Sequence, residues 1–286
     1  MSRLNQFKQP FKLARWRGRR ALAVRRWGAA AVAQAPVVIG NAMPKSGSHL
    51  LIQVLRGLTQ IGPFVDPGLP PLTRSADNQN LSDKEVLANI ARLQAGDIAY
   101  AYLHARTPYL ETLAQPGIAA FFIYRDPRDV IVSQVFYATE MHPGHGMHAY
   151  YQSLGIMEER VDAAIRGVNE AGTVLSSIRA KYEHYLAWLD QREICALRFE
   201  DLILQREKAI GRILDHLAAR GSVPRLERRV AIERLAAAIQ PHASGTFRKG
   251  QPGEWRQHFT GRNIENFKQA TGDLLPRLGY EKDGLW

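Results

Sequence analysis

The chain reads as an α/β protein, a single domain with a central parallel sheet flanked by helices and a P-loop-like loop after the first strand. Three observations predict this. Apolar stretches of strand length recur between stretches of helical periodicity. The run "IAAFFIY" at 118–124 is continuously apolar, as a strand buried on both faces of a parallel sheet must be. The stretch "VVIGNAMPKSGSHLLIQVL" at 37–55 passes from an apolar strand through a short polar loop into a helix, the opening of a βαβ unit.

The elements follow in order. A strand is predicted at 37–41 and a helix at 48–59, where Leu50, Leu51, Ile52, Val54 and Leu55 have helical spacing. Residues 61–80 form a loop rich in Pro and Gly. Ser82 caps a helix over 83–94, with Glu85 three residues on to complete a capping box. "DIAYAYLH" (97–104) reads as a strand ending on His104, and a short helix follows Thr107-Pro108. After the strand at 118–124 a helix starts near Pro127. Residues 142–148 are a loop, 168–189 a helix and 193–199 a strand. Helices are predicted at 205–219 and 226–239, an irregular stretch at 242–260, and a last helix to about 275.

With 286 residues and 45% hydrophobic content the chain can bury one large core. No apolar run reaches the roughly 18 residues of a membrane span. Cys195 is the only cysteine, which excludes a disulfide framework and a cysteine zinc site. It fits a reducing compartment, the cytoplasm, and is also compatible with export. The net charge of +11 is uneven. Residues 1–65 carry 11 of the 38 basic residues and no acidic one, so the remaining 27 basic residues are matched by 27 acidic ones. The chain therefore divides into a basic, Arg-rich segment at 1–35 and a near-neutral body at 36–286. The basic segment has three readings: contact with an anionic membrane surface, contact with nucleic acid or an acidic polysaccharide, or a disordered tail. Its arginines spread around the helical wheel, which weakens the membrane-helix reading.

The loop after the first strand holds Pro44, Lys45, Ser46, Gly47 and Ser48. A strand–loop–helix with glycine and lysine is suited to an anion, because backbone N–H groups at a helix start point into the loop and the helix dipole favours negative charge there. The nucleotide-binding loop G-x-x-x-x-G-K-[ST] is approached but not reproduced: Gly40 stands at the first glycine, and Pro44 takes the place of the second. Taken alone, the stretch is also consistent with a plain turn carrying a solvated lysine. Three further stretches add cations at strand ends and loops: "YRDPRDVIVS" (124–133), "LRFEDL" (197–202) and "FRKGQPGEW" (247–255). Together they point to an anionic ligand with two separate phosphate-like ends.

This combination resembles the sulfotransferases that use 3′-phosphoadenosine 5′-phosphosulfate (PAPS). Their P-K-S-G-T loop is matched by Pro44-Lys45-Ser46-Gly47-Ser48, and R-x-P-[RK]-D with a following serine by Arg125, Pro127, Arg128, Asp129 and Ser133. The aromatic-E-D motif is matched by Phe199-Glu200-Asp201, and R-K-G-x-x-G-[DE]-W by Arg248, Lys249, Gly250, Gly253, Glu254 and Trp255. The resemblance implies that Lys45 and the backbone of Ser46, Gly47 and Ser48 hold the 5′-phosphosulfate, with His49 beside them. It implies that Arg125, Ser133, Arg248, Lys249 and Gly250 hold the 3′-phosphate, and that Phe199 packs near the adenine. His104 matches the family's general base, and Lys45 would stabilise the leaving oxygen. PAPS would be the co-substrate and PAP the product, with no metal. Loops 61–80 and 142–148 would border the acceptor pocket.

The sequence departs from the family in two places. Relatives carry Thr-Trp after the first loop where His49-Leu50 stand here, so the adenine stack on tryptophan is lost or weakened. The family's T-S-F motif is not recognisable in 226–247. "RQHFTGRNIE" (256–265) loosely resembles a family dimer motif, a hint of a homodimer. His142, His145 and His148 share a loop, but no carboxylate or cysteine pattern supports a metal there. The function implied is sulfuryl transfer to a hydroxyl, less readily an amine, of a small-molecule, lipid or carbohydrate acceptor, without specific nucleic-acid binding. The alternatives are a P-loop-type kinase or NTPase, and a non-enzymatic binder of acidic polymer through the basic segment, which could also place the protein at the inner membrane surface.

Overall fold

The computed structural model describes residues 3–75, 77–170, 172–222, 225–240, 248–284 and 286, with side chains from residue 13 onward. Along the chain run α1 (Arg3–Trp27), α2 (Ala29–Gln34), β1 (Val37–Ala42), α3 (Ser48–Gly57), α4 (Asp83–Ala91), β2 (Ile98–Ala101), α5 (Tyr109–Leu113), β3 (Ile118–Tyr124) and α6 (Pro127–Phe136). A π-helical turn at Tyr137–Met141 leads to α7 (His148–Ser153), α8 (Met157–Arg166), the hairpin β4 (Val168–Glu170) and β5 (Thr173–Leu175), and α9 (Ile178–Leu186). Then come β6 (Ile194–Arg198), α10 (Phe199–Leu204), α11 (Arg206–Ala219), α12 (Arg228–Ala237), α13 (Gly261–Thr271) and α14 (Leu274–Leu278). Two compact units result: Met1–Tyr124 with Ala187–Pro241, and Arg125–Leu186 with His242–Trp286.

The first unit holds the central sheet, in the order β2-β1-β3-β6. Every neighbouring pair is parallel. Alternation sorts the strand residues onto two faces. Val38 and Ala42 of β1, Ala119, Phe121 and Ile123 of β3 and Leu197 of β6 enter one core with Leu51 and Leu55 of α3 and Ile210, Ile213, Leu214 and Leu217 of α11. Gly40 belongs to β1, where a Cβ would lie 2.7 Å from a Leu55 methyl. Its role is to let α3 press onto the strand, so it supplies no turn to the loop. On the other face Phe122 packs against Trp188, their rings 6.5 Å apart. Because the strands are parallel, the chain leaves all of them at one edge of the sheet.

The basic segment is a helix, which corrects the disordered-tail reading for the described residues. Trp16, Val24 and Trp27 pack with Ala23, Val32 and Val65. Trp16 Nε1 donates to Asp97 at 3.0 Å, and Arg20 pairs with the same carboxylate at 3.4 Å. Arg19 and Arg56 pair with Asp66 at 3.5 and 3.2 Å. Burial raises the Asp97 carboxyl above its ordinary value, against the Gln94 N–H, Trp16 and Arg20. Two acids far along the chain thus anchor a helix that has none of its own.

Other expectations meet the structure unevenly. The capping box at α4 is complete: Glu85 N donates to Ser82 Oγ and Ser82 N to Glu85 Oε2 at 2.9 Å. The strand foreseen at 97–104 stops at Ala101, three residues before His104, because side chains take over the pairing beyond it. The helix foreseen from 168 begins only at Ile178. The ten residues before it are occupied largely by the β4–β5 hairpin, which follows Gly167 (φ 81°) and contains Gly172 (φ 86°). A Cβ at Gly167 would lie 2.6 Å from the Leu175 carbonyl, so this glycine is fixed by both conformation and contact.

The second unit is helical around α6. Asp126 caps α6 through Arg128 N at 2.9 Å, and Pro127 opens the first turn. α8 and α13 are joined by Asn263, fully buried, whose amide donates to the Glu158 carbonyl at 3.1 Å. Among the described residues no helix is long and apolar enough to cross a membrane.

Candidate active site

Lys45 lies in the short loop between β1 and α3, and its backbone is left-handed at φ 68°. That conformation costs a non-glycine residue about 1–2 kcal/mol. The loop is held by Ser46, fully buried, whose hydroxyl lies 2.6 Å from the Met43 carbonyl and 2.9 Å from the Ile123 carbonyl of β3. The Ser46 side chain is thus a structural tie, and what it can offer a ligand is backbone. Gly47 follows at φ 93° as the N-cap of α3, and no side chain caps that helix. A Cβ on Gly47 would meet the Phe199 ring at 2.5 Å, so glycine is demanded twice over. Phe199, which opens α10 after β6, is itself largely buried against this loop. Ser48 receives the Tyr102 hydroxyl at 3.0 Å. His49 is exposed on the first turn of α3; partial desolvation, then the Lys45 and Arg56 charges, lower its pKa below the ordinary 6.5. The result is an uncapped helix start with a cation in the loop, a seat for an anionic oxygen.

His104 is exposed two residues beyond Tyr102, and its segment is held at both ends. Upstream, Leu103 N donates to Asn41 Oδ1 at 2.7 Å, and Asn41 Nδ2 donates to Leu103 O at 3.1 Å. Trp188 Nε1 donates to the same carbonyl at 2.9 Å. Downstream, Arg106 N donates to His104 O at 3.0 Å, and Asp83 accepts from Arg106 at 2.7 Å and from the Tyr109 hydroxyl at 2.6 Å. β1 and β2 are adjacent and parallel, so the Lys45 loop and the His104 segment leave the sheet at the same edge.

The second unit gathers the other predicted residues. Arg125 directly follows Tyr124, the last residue of β3, and is 7% exposed. Its carbonyl accepts from the Tyr182 hydroxyl at 2.6 Å, and its Nη2 donates to the Gln251 carbonyl at 3.2 Å and lies 3.4 Å from Asp129. Asp129 also accepts from Gly253 N at 2.8 Å and Trp255 N at 2.9 Å, which ties the start of α6 to the 248–255 segment. Asp129, Ser133 and Phe136 are four and three residues apart, on one face of α6. Phe136 lies under the Arg248 guanidinium at 4.0 Å, so Ser133 is on the face that meets Arg248. Arg248 is bonded to Glu254 by both guanidinium arms, one of them at 2.6 Å. Lys249 adds a contact to Glu254 at 3.3 Å, and Gly250 turns the chain at φ 62°. Burial would raise the Glu254 carboxyl, but Arg248 and then Lys249 outweigh it and hold the pKa below its ordinary value.

Sequence reasoning missed Asn41, Trp188 and Tyr102 in the first unit. In the second it assigned no role to Asp129, Glu254 or Arg128. Arg128 is buried, paired with Asp126 at 2.6 Å and Glu281 at 2.7 Å, and stacked on Trp255 and Trp286 at 4.1 and 4.4 Å. It is therefore spent on structure. Of the stretch 226–247 in which the T-S-F motif was sought, residues 241–247, where "FRKG" begins, lie outside the described residues. The segment 256–265 runs from a 3-10 turn into α13. Among the described residues no group of three or more His, Cys, Asp or Glu is placed to hold a metal ion.

The sulfotransferase domain family matches residues 36–279 of the chain. No curated protein matches it. Among solved structures, mouse sulfotransferase SULT7A1 complexed with PAP has a TM-score of 0.55 at 16% identity, over 89% of this chain and 90% of that one. Retinol dehydratase in complex with androsterone and inactive cofactor PAP has a TM-score of 0.52 at 15% identity, over 85% and 83%. At these identities the likeness is one of fold.

Proposed function

The chain belongs to the sulfotransferase domain family, and from that premise we propose that it moves the sulfuryl group of PAPS onto a hydroxyl of a small-molecule, lipid or carbohydrate acceptor. The observation that carries this reading is the pairing of β1 with β2, which brings the Lys45 loop and His104 out at one edge of the sheet. PAP in the structural relatives supports the choice of nucleotide. Family membership sets aside the NTPase alternative and a non-enzymatic role for residues 36–279.

In this reading the α3 N-terminus and Lys45 take the 5′-phosphosulfate, with Ser46, Gly47, Ser48 and His49 contributing around it. Arg125, Ser133, Arg248, Lys249 and Gly250 take the 3′-phosphate. The acceptor oxygen attacks sulfur in line with the bridging oxygen, through a loose transition state like that of phosphoryl transfer. A new S–O bond forms, the old one breaks, and its electron pair leaves on the 5′-phosphate of PAP. Lys45 stabilises that growing charge. The hydroxyl proton passes to the unprotonated imidazole of His104. A neutral imidazole has a nitrogen lone pair that can accept the proton, which an arginine guanidinium lacks.

The test is a screen of sugars, lipids, phenols and amines for PAP release from PAPS, run beside His104→Ala. Turnover on a hydroxyl acceptor that falls to a small residual rate in His104→Ala, with PAP affinity retained, is the expected result. No PAP release with any acceptor, or ATP–Mg²⁺ bound more tightly than PAP, would sink the reading.

A further inference from the structure

We propose that Asn41 is a positioning residue for the transfer step, setting through Leu103 where the His104 imidazole sits; this rests on His104 being the base. The β1–β2 ladder ends at the pair Asn41 and Ala101. Two residues further, the backbone of Leu103 finds no strand partner. The Asn41 side chain replaces one, accepting from Leu103 N at 2.7 Å and donating to Leu103 O at 3.1 Å. An amide carries its donor and its acceptor on separate atoms of one rigid plane, so it can do both at once. Asn41 and Leu103 are each 1% exposed, and Trp188, which supplies the second donor to Leu103 O at 2.9 Å, is fully buried.

Both peptide groups that flank the Leu103 Cα are therefore held, in a dry and packed setting, one residue before His104. Downstream the anchors are of another kind: Arg106 N donates to the His104 carbonyl at 3.0 Å, and the Arg106 side chain pairs with Asp83 at the surface. The position of the His104 Cβ is inherited from the Leu103 backbone. A small rotation there swings the imidazole across the sheet edge, away from the hydroxyl it must reach. Both polar arms of Asn41 are taken by the Leu103 backbone, so it acts through the backbone.

The experiment uses the full chain with PAPS and its best hydroxyl acceptor. Asn41→Val keeps a strand-forming side chain of similar size and removes both polar arms. Trp188→Phe removes the N–H together with part of the buried ring system, so its thermal midpoint is read beside its turnover. Turnover, PAP affinity by calorimetry and thermal midpoint are measured for each, alone and with His104→Ala. Asn41→Val should lower turnover by about 10- to 100-fold, as displacement of a catalytic group does, with PAP affinity changed less than about twofold. Trp188→Phe should cost turnover about threefold. In the His104→Ala background, Asn41→Val should change the residual rate by less than about twofold, because the group it positions is gone. Parent-like turnover in Asn41→Val, the same loss repeated in the His104→Ala background, or an equal loss in PAP affinity would each overturn the proposal. If Asn41→Val does not fold, Trp188→Phe decides by the same cycle. A His104→Ala variant at the parent's rate overturns the base and this proposal together. An inactive His104→Ala beside an unimpaired Asn41→Val overturns the proposal alone.

Discussion

The two clusters proposed to bind the ends of the nucleotide are built in opposite ways. Around Lys45 the attraction is mostly backbone: an uncapped helix start, a left-handed lysine, and a glycine wedged against Phe199. No acidic residue occurs in the sequence before Asp66. Around Arg125 and Arg248 the attraction is side-chain charge, and each cation comes with a buried carboxylate, Asp129 and Glu254. A carboxylate-tethered guanidinium is preorganised for a phosphate that stays put. A lysine on a strained loop, with helix N–H groups beside it, is suited to an oxygen whose charge grows only during reaction. The first region should therefore govern rate and the second affinity.

The largest effect expected on this contrast is that of Lys45→Ala, with turnover reduced by about 10²–10³. PAP affinity should move far less, as read by calorimetry beside steady-state PAP release. Equal losses in both would erase the distinction. Next is Arg248→Ala, where losing charge-assisted bonds to the 3′-phosphate should weaken PAP about 10- to 100-fold. Binding of the analogue without that phosphate should be nearly unchanged, and a matched loss there would count against the assignment.

The carboxylate tether can be read through acid stability. Glu254 is held below the ordinary glutamate value of 4.5 by Arg248 and Lys249 against the opposing effect of burial. Its contribution to stability is thus complete above that value and is lost as pH falls through the lower folded-state pKa. The parent's thermal midpoint should fall on the acid side more steeply than that of Glu254→Gln. Parallel curves would mean that the tether contributes nothing. The smallest effect on chemistry is expected from Trp16→Phe, which removes one of the two bonds from α1 to Asp97 and leaves the Arg20 pair. It should lower the thermal midpoint by a few degrees, the scale of about 1 kcal/mol, and leave turnover and PAP affinity at parent values.

Much of the first region was legible because its signals are local. The continuous apolar run of β3 and the Ser82–Glu85 capping box are each written within a few residues and appear where expected. Glycine cues were equally local at Gly167 and Gly172, where a helical reading of 168–177 passed over them and the chain instead makes a hairpin.

The sequence by itself determined the parallel α/β sheet, the loop that carries Lys45, and the stretches that supply His104, Arg125 and Arg248. Only the tertiary structure decided which polar groups answer one another. Asn41 serves a backbone 62 residues away, Asp129 one 124 residues away, and Trp16 docks α1 on a carboxylate 81 residues away. Strand and turn preferences arise from steric limits within a few residues. The partner of a buried amide or carboxylate is whichever backbone donor or charged group the packed chain leaves unsatisfied beside it, and no short stretch of sequence contains that information.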